Sequence, residues 1–379
     1  MKLRAIVKLN VSVAFALVLT ASTVFCQNTQ TPTDGQAARP LNMLVLGDSI
    51  IWGQGLKAEH KSWYQVKLWL ETNTGRTVIE KVEAHSGAVI ERSSLTDNLT
   101  ATNPEVNVGL PTVNDEIDDA LRFYSDGARV DLVLLSGCGN DVGAQNLLNA
   151  SGSEEIHRLT KAKCTSPMER LLRKVATSFP AAEVIVTGYY PFFSEQTRND
   201  FITRALTRRF FKTNPGAPKL SSREVLERLT ANSREWYQAS NKALAEAARK
   251  VNAELGGGRE RVMFARIEFP PDYSFAARRT RLWGLNRSPF RMALVILSFG
   301  KILLPSNDEV RRQRAASCDE VYKRQPNETP EQKKKRQNGH MLCRYAALGH
   351  PNREGALLYA DAITNLLKPT LGVIGSSSR

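Results

Sequence analysis

The 379-residue sequence has no Cys-x-x-Cys pair among its five cysteines, so the short ligand spacing that builds zinc sites is missing. Its one uncharged apolar stretch near the N-terminus, Val11 to Phe25, falls short of the ~20 residues that span a bilayer. No internal repeat is visible. The Lys333-Lys334-Lys335-Arg336 run lacks interleaved aromatics, which argues against nucleic acid as a partner. What is present is a chain with 42% hydrophobic and 24% charged residues, enough for a large buried core and too apolar for disorder. The same balance excludes a protein that crosses the membrane many times. The length allows one α/β domain with insertions or two domains.

A formal charge of +14 points first to a polyanionic partner. The charge is not spread evenly. From Arg278 to Arg344 there are 16 Lys and Arg against 6 Asp and Glu, and Lys2, Arg4 and Lys8 add three more positive charges before the apolar stretch. A basic start followed by an uncharged apolar core is the layout of a secretory signal peptide over residues 1–26, cut after Cys26. An uncleaved anchor is the alternative. Residues 27–40, rich in Thr, Gln and Pro, read as a linker, and the mature chain is expected to be secreted or periplasmic. Four cysteines then remain, Cys138, Cys164, Cys318 and Cys343. An even count in an exported chain favours disulfides, and of the three possible pairings proximity favours Cys138 with Cys164 and Cys318 with Cys343.

From Leu41 the pattern is α/β. Short apolar runs at Met43 to Leu46, Thr77 to Val82, Val130 to Leu135, Glu183 to Thr187 and Val262 to Ala265 read as strands of a parallel sheet. Helical stretches separate them: Ser62 to Glu71, Asp115 to Tyr124, Glu154 to Ser178, Ser222 to Val251 and a last one from about Asn352 to Leu367. Alternation of this kind gives a doubly wound sheet with its functional loops at the carboxyl ends of the strands. Two stretches exceed a minimal version of that plan, about 192–221 and 268–340.

Four short blocks follow the strands in order: Gly47-Asp48-Ser49-Ile50, Ala84-His85-Ser86-Gly87, Gly137-Cys138-Gly139-Asn140-Asp141, and, before the last helix, Gly349-His350-Pro351. A serine at the tip of a buried strand is well placed as a nucleophile, because the strand fixes it while the loop exposes its hydroxyl. The ordered set, spread over 41 to about 191 and 348 to 367, resembles the SGNH hydrolases, also called GDSL-type esterases and lipases. The resemblance implies a three-layer α/β/α, flavodoxin-like fold and no metal or organic cofactor. It implies Ser49 as nucleophile and His350 as general base. The backbone amides of Ser49 and Gly87 and the side-chain amide of Asn140 would form the oxyanion hole. Its substrate would be a small-molecule, lipid or glycan ester.

Two positions depart from the family pattern. Cys138 stands where the family has glycine, and Ala347 stands where it has the acid, three residues before the histidine. A backbone carbonyl taking the Nδ1 hydrogen bond would leave a working Ser-His dyad. Asp48 and Asp141 are the other carboxylates in the motifs, and Asp141 reads as a brace for its loop. His85 reads as a wall residue, His60 and His157 as surface residues, and Glu59 and Glu354 as acids in first helical turns. Trp63, Tyr64 and Trp69 read as core, whereas Trp52, Tyr189 and Tyr190 are candidates for a pocket wall. Asn98, Asn149, Asn286 and Asn327 begin glycosylation sequons.

The basic insertion admits two readings. In one, the apolar segment Met292 to Leu304, flanked by arginines, lays the protein on an anionic membrane surface. In the other, favoured because the segment is apolar on nearly every side, it packs onto the core. Alternatives to a simple esterase are a polysaccharide O-deacetylase of the same fold and a catalytically silent binding protein that uses the basic cap.

Overall fold

Strand runs apolar at every position must be covered on both faces, and the computed structural model shows how. It describes residues 39–372 and 374, without 94–98, 101–102, 150, 211–219, 257 and 298–303. The expected leader, almost all of the linker and Asn98 lie outside the described residues. Strands β1 (Leu41–Leu46), β2 (Val78–Val82), β3 (Leu132–Leu135), β4 (Glu183–Thr187) and β5 (Val262–Ala265) form one parallel sheet in the order β2-β1-β3-β4-β5. The register sets Met43 beside Glu80 on one side and Leu132 on the other. Strand order reverses between β1 and β3, so the crevice beyond their carboxyl ends is where such a sheet places a ligand.

The helices are α1 (Ser49–Trp52), α2 (Ser62–Thr74), α3 (Val113–Tyr124), α4 (Gly139–Val142), α5 (Ala144–Asn149), α6 (Ser153–Ser178), α7 (Phe201–Phe210), α8 (Ser222–Leu255), α9 (Pro289–Leu297), α10 (Arg311–Val321), α11 (Pro330–Arg344) and α12 (Arg353–Leu367). Side chains of a strand alternate between faces. Leu44, Leu46, Val133, Leu135, Val184 and Val186 meet Ile117, Leu171, Val175 and Leu244 of α3, α6 and α8. Met43, Val45, Leu132, Leu134 and Ile185 meet Trp63, Val66, Ile363 and Leu367 of α2 and α12. The fold is therefore the expected three-layer α/β/α arrangement. Trp63 is core, with Tyr64 and Trp69 packed at its margin.

The two added stretches sit over the carboxyl ends of the strands. The first contributes α7, and the second contributes α9, α10 and α11. Cys318 of α10 and Cys343 of α11 are joined in a disulfide that packs against Val106 and Val108. The apolar segment lies only partly within the described residues. Its helix begins at Pro289 and ends at Leu297, and residues 298–303 lie outside the described part. Met292 rests on a satellite cluster with Ile202, Leu285 and Leu304 rather than on the sheet. Phe290 and Leu297 are each 75% exposed.

The other disulfide joins Cys138 to Cys164 of α6, so both pairings follow proximity. Cys138 has φ +84°, a left-handed backbone that suits the glycine of the family pattern. A cross-link closing a loop of this length contributes about 3 kcal/mol. The left-handed conformation costs a non-glycine residue about 1 kcal/mol. Cys138→Gly/Cys164→Ala should therefore lose about 2 kcal/mol of unfolding free energy, and Cys138→Ala/Cys164→Ala about 3. Denaturant midpoints measure both; equal losses would show that the backbone at 138 carries no strain.

Candidate active site

At the end of β1 the chain turns at Gly47, where φ is +118° and an added Cβ would lie 2.0 Å from the Ser136 carbonyl oxygen. Only glycine fits. Asp48 caps the turn that follows, accepting hydrogen bonds from Ile50 N at 3.0 Å, Ser136 Oγ at 2.5 Å and the Tyr189 hydroxyl at 2.6 Å. Burial pushes the Asp48 carboxyl up, while these three bonds and His85 pull it down. Asp48 thus braces the turn rather than meeting His350. Ser49 opens α1, a buried turn whose hydroxyl faces the cavity described below.

His350 stands just before α12. Its backbone is locked against Trp283, which donates its N–H to the His350 carbonyl at 2.8 Å and accepts from Gly349 N at 2.9 Å. The Tyr190 hydroxyl donates to the Gly349 carbonyl at 2.7 Å. Across 301 residues of sequence the imidazole Nε2 lies 2.7 Å from Ser49 Oγ. Nδ1 is buried, and among the described residues no partner meets it in strict hydrogen-bond geometry. The backbone carbonyls of Leu348, Ala347 and Ala346 face the ring and favour its charged form, the kind of acceptor that a dyad without an acid would use. Burial first and the positive charge of Arg314 second push the ring down from 6.5 to about 4, so it is neutral at physiological pH.

Ala347, in place of the acid, is fully buried with Leu56, Trp283 and Ala356. Its Cβ and that of Asp308 come within 2.8 and 3.0 Å of where a Cβ on Gly55 would sit. Beside it lies a buried ionic network that the sequence did not announce. Arg314, with no exposed surface, donates Nη1 to Asp308 Oδ1 at 2.9 Å and Nη2 to Asp308 Oδ2 at 2.7 Å, and reaches Glu105 Oε2 at 3.2 Å. Glu105 accepts from Trp52 Nε1 at 2.9 Å and from Gly55 N at 3.2 Å. Lys61, whose ammonium lies 3.1 Å from the Trp52 ring centroid and 3.7 Å from Glu105, is pushed down to about 7 by burial. Trp52 therefore belongs to this network and not to a pocket wall.

Of the oxyanion candidates, Ser49 and Asn140 line one cavity, whereas Gly87 is not among its lining residues. Asn140, on α4, lines the cavity and donates one amide hydrogen to the Ala88 carbonyl at 3.0 Å, keeping its second amide hydrogen available. Gly87 has φ +90°, and a Cβ there would meet Asn107 Oδ1 at 2.5 Å and Val108 at 2.6 Å. Packing against this loop, as well as approach to a substrate, demands glycine. Asp141 accepts from Ile90 N at 3.2 Å with both oxygens, and burial pushes it up to about 6. It braces the glycine loop as expected. His85 is buried with both ring nitrogens against carbonyl oxygens, Ser86 at 2.9 Å and Pro111 at 2.7 Å, and is not among the cavity-lining residues. His157 is exposed and pairs with Glu235, whereas His60, expected at the surface, is half-buried against Glu309.

Ser49 and His350 sit at the wall of a cavity of about 470 Å³. Its other walls are mostly apolar: Leu147 and Leu148 of α5, Tyr189, Tyr190, Phe192 and Phe193 after β4, Leu229 and Trp236 of α8, and Phe275. Both added stretches contribute, the first through Phe192, Phe193 and Leu206 and the second through Phe275; Leu342 and Tyr345, which follow the second, also line it. Among the described residues no group of three or more His, Cys, Asp or Glu could hold a metal ion. No described helix is long and apolar enough to cross a membrane.

No family model matches the chain, and no curated protein matches it. Among solved structures it is similar to an extracellular lipase from Streptomyces rimosus, with 15% identity over 65% of this chain and 89% of that one and a TM-score of 0.39. It is similar to a family two carbohydrate esterase from Clostridium thermocellum, with 11% identity over 88% and 66% and a TM-score of 0.38. A third is a putative GDSL-like lipase from Parabacteroides merdae, with 10% identity over 89% and 97% and a TM-score of 0.35.

Proposed function

We propose that this protein is an exported serine ester hydrolase of the SGNH type that cleaves carboxylic esters with an apolar acyl chain through an acyl-enzyme on Ser49. The observation that carries the reading is the 2.7 Å contact between Ser49 Oγ and a neutral His350 at the wall of an apolar cavity. His350 takes the serine proton as Oγ attacks the ester carbonyl, and returns it to the leaving alcohol. The charge that builds on the carbonyl oxygen falls to the amides of Ser49, Gly87 and Asn140, each worth about 3 kcal/mol. Water then hydrolyses the acyl-enzyme with the same base. The two disulfides support export, since such bonds persist in oxidising compartments.

The cavity favours an acyl chain longer than the acetyl group that a polysaccharide deacetylase removes. Each buried methylene contributes about 0.8 kcal/mol, roughly fourfold in kcat/KM. Activity on nitrophenyl esters should therefore climb at that rate from acetate to hexanoate; a series that falls from acetate would favour the deacetylase. The decisive test is a fluorophosphonate probe: the folded protein should take up one adduct, on Ser49. A folded protein that stays unlabelled, or a Ser49→Ala variant that labels as well, would sink the serine mechanism.

The pH dependence follows from the state of the base. His350 acts as the neutral ring, and burial with Arg314 holds it neutral down to about 4. The acid limb of kcat/KM should therefore fall near pH 4 rather than near 6.5. A limb in the ordinary histidine range would mean that His350 is solvated or paired with a carboxylate during turnover.

A further inference from the structure

Two amphipathic helices from different insertions meet beside the cavity. In α7, Ile202 is buried and Leu206 lines the cavity. In α9, Met292 packs with both of them in a cluster that includes Leu304, Tyr345 and Leu348. Arg287, just before α9, donates to Asp200, just before α7, at 2.6 Å. The helices are thus fastened to each other and to the residues that precede His350. Their opposite sides are unlike an ordinary surface: Phe201 of α7 is 54% exposed, and Phe290 and Leu297 of α9 are each 75% exposed. These are three of the most solvent-exposed large apolar side chains among the described residues, and they fall on two neighbouring elements.

The sequence segments that carry them are basic. Residues 201–223 contain no Asp or Glu and six Lys and Arg, and residues 273–307 contain none and six more. Some of these cations are engaged: Arg287 with Asp200, Arg279 with Asp272 and Arg281 with Glu354. Arg204 on α7 is exposed, and among the described residues its guanidinium bonds only a carbonyl, that of Asn199. Arg291 lies one residue after Phe290. The Lys333–Lys335 cluster, which dominates the sequence reading of the basic cap, is on α11, away from the exposed phenylalanines in sequence and not joined to them by any cluster.

We propose that the outer side of α7 and α9 is a docking surface for an anionic phospholipid bilayer. Exposed Phe and Leu side chains enter the acyl boundary, and the arginines beside them meet lipid phosphates. An acidic polysaccharide would satisfy the cations but would leave Phe201, Phe290 and Leu297 in water, so the apolar trio selects lipid. Because Leu206, Tyr345 and Leu348 belong both to the cluster under these helices and to the cavity wall, docking there presents the cavity to the lipid. The surface itself does not depend on the ester chemistry; only this last consequence rests on the proposed function.

The test uses the mature chain carrying Ser49→Ala, so that binding is read without turnover, and vesicles of phosphatidylcholine with or without phosphatidylglycerol. Sedimentation should show binding to the anionic vesicles at least tenfold tighter than to the neutral ones. Adding Phe290→Asp and Leu297→Asp should remove at least about tenfold of that affinity. The same pair in the otherwise native chain should leave hydrolysis of a short soluble ester unchanged, which also shows that it folds. A milder variant, Phe201→Ser/Phe290→Ser, should weaken vesicle binding in the same direction. Failure to bind anionic vesicles, equal binding to neutral ones, or full binding by either variant overturns the proposal. Loss of soluble-ester turnover in the native chain would instead count against the hydrolase reading.

Discussion

Replacing His350 by alanine should lower kcat/KM on a short acyl ester by at least about ten-thousandfold, and Ser49→Ala should do the same. The two losses should not add: a hydroxyl without its base is as inert as a base without its hydroxyl, so the double variant should be no worse than either single one. What survives is the catalysis owed to binding and to the oxyanion donors, roughly a thousandfold over water. The particular feature here is that no third residue shares the loss. Among the described residues no carboxylate meets Nδ1 of His350: the Ala347 side chain has none to offer, and Asp48 and Asp141 are committed to Ser136, Tyr189 and the Ile90 amide. Asp141→Asn should therefore cost less than about tenfold, by loosening the glycine loop. Initial rates on the purified variants decide it. A larger loss from Asp141→Asn than from His350→Ala would identify a different base.

Arg314→Met should be the most destabilising single substitution in the cap, by about 3–5 kcal/mol in denaturant unfolding. The guanidinium is wholly buried, and its removal leaves the carboxylates of Asp308 and Glu105 buried against each other, with only the weakly held Lys61 ammonium near Glu105. Asp308→Asn added to Arg314→Met should recover part of the loss, because one unpaired buried charge is then gone. The substitution also carries a kinetic signature that a merely structural role lacks. Arg314 is the second cause of the low His350 pKa, so without it the acid limb of kcat/KM should move upward from about 4. Unchanged stability would show that the network is open to water; an unmoved acid limb would show that its field does not reach the imidazole.

The legible part of the protein was the part encoded by neighbours in sequence. Nearly unbroken apolar runs gave the strands β1, β3, β4 and β5, because a parallel strand covered on both faces needs few polar positions, while edge strand β2 carries Glu80 and Lys81. The elbow at Gly47-Asp48-Ser49, the glycine at 87 and the disulfides could be read for the same reason: turn chemistry and a loop of some 25 residues are local properties. Composition does not say which side of a helix finds a partner: α9 packs the partly buried Met292 against Ile202, Leu285 and Leu304 while presenting Phe290 and Leu297.

By itself, then, the sequence determined the layered sheet, the order of the loops at its carboxyl edge and the residue types those loops carry. Tertiary structure alone decided that Ser49 and His350 touch, that Arg314 meets Glu105 across 209 residues, that the cavity is walled by both insertions, and that α7 and α9 pack into one satellite cluster. Backbone conformation and hydrophobic period are set within a few residues of the chain. A charge network or a cavity is set by which distant segments the packing brings to the same place: Asp308 lies six residues from Arg314, but nothing near Arg314 in the sequence records Glu105.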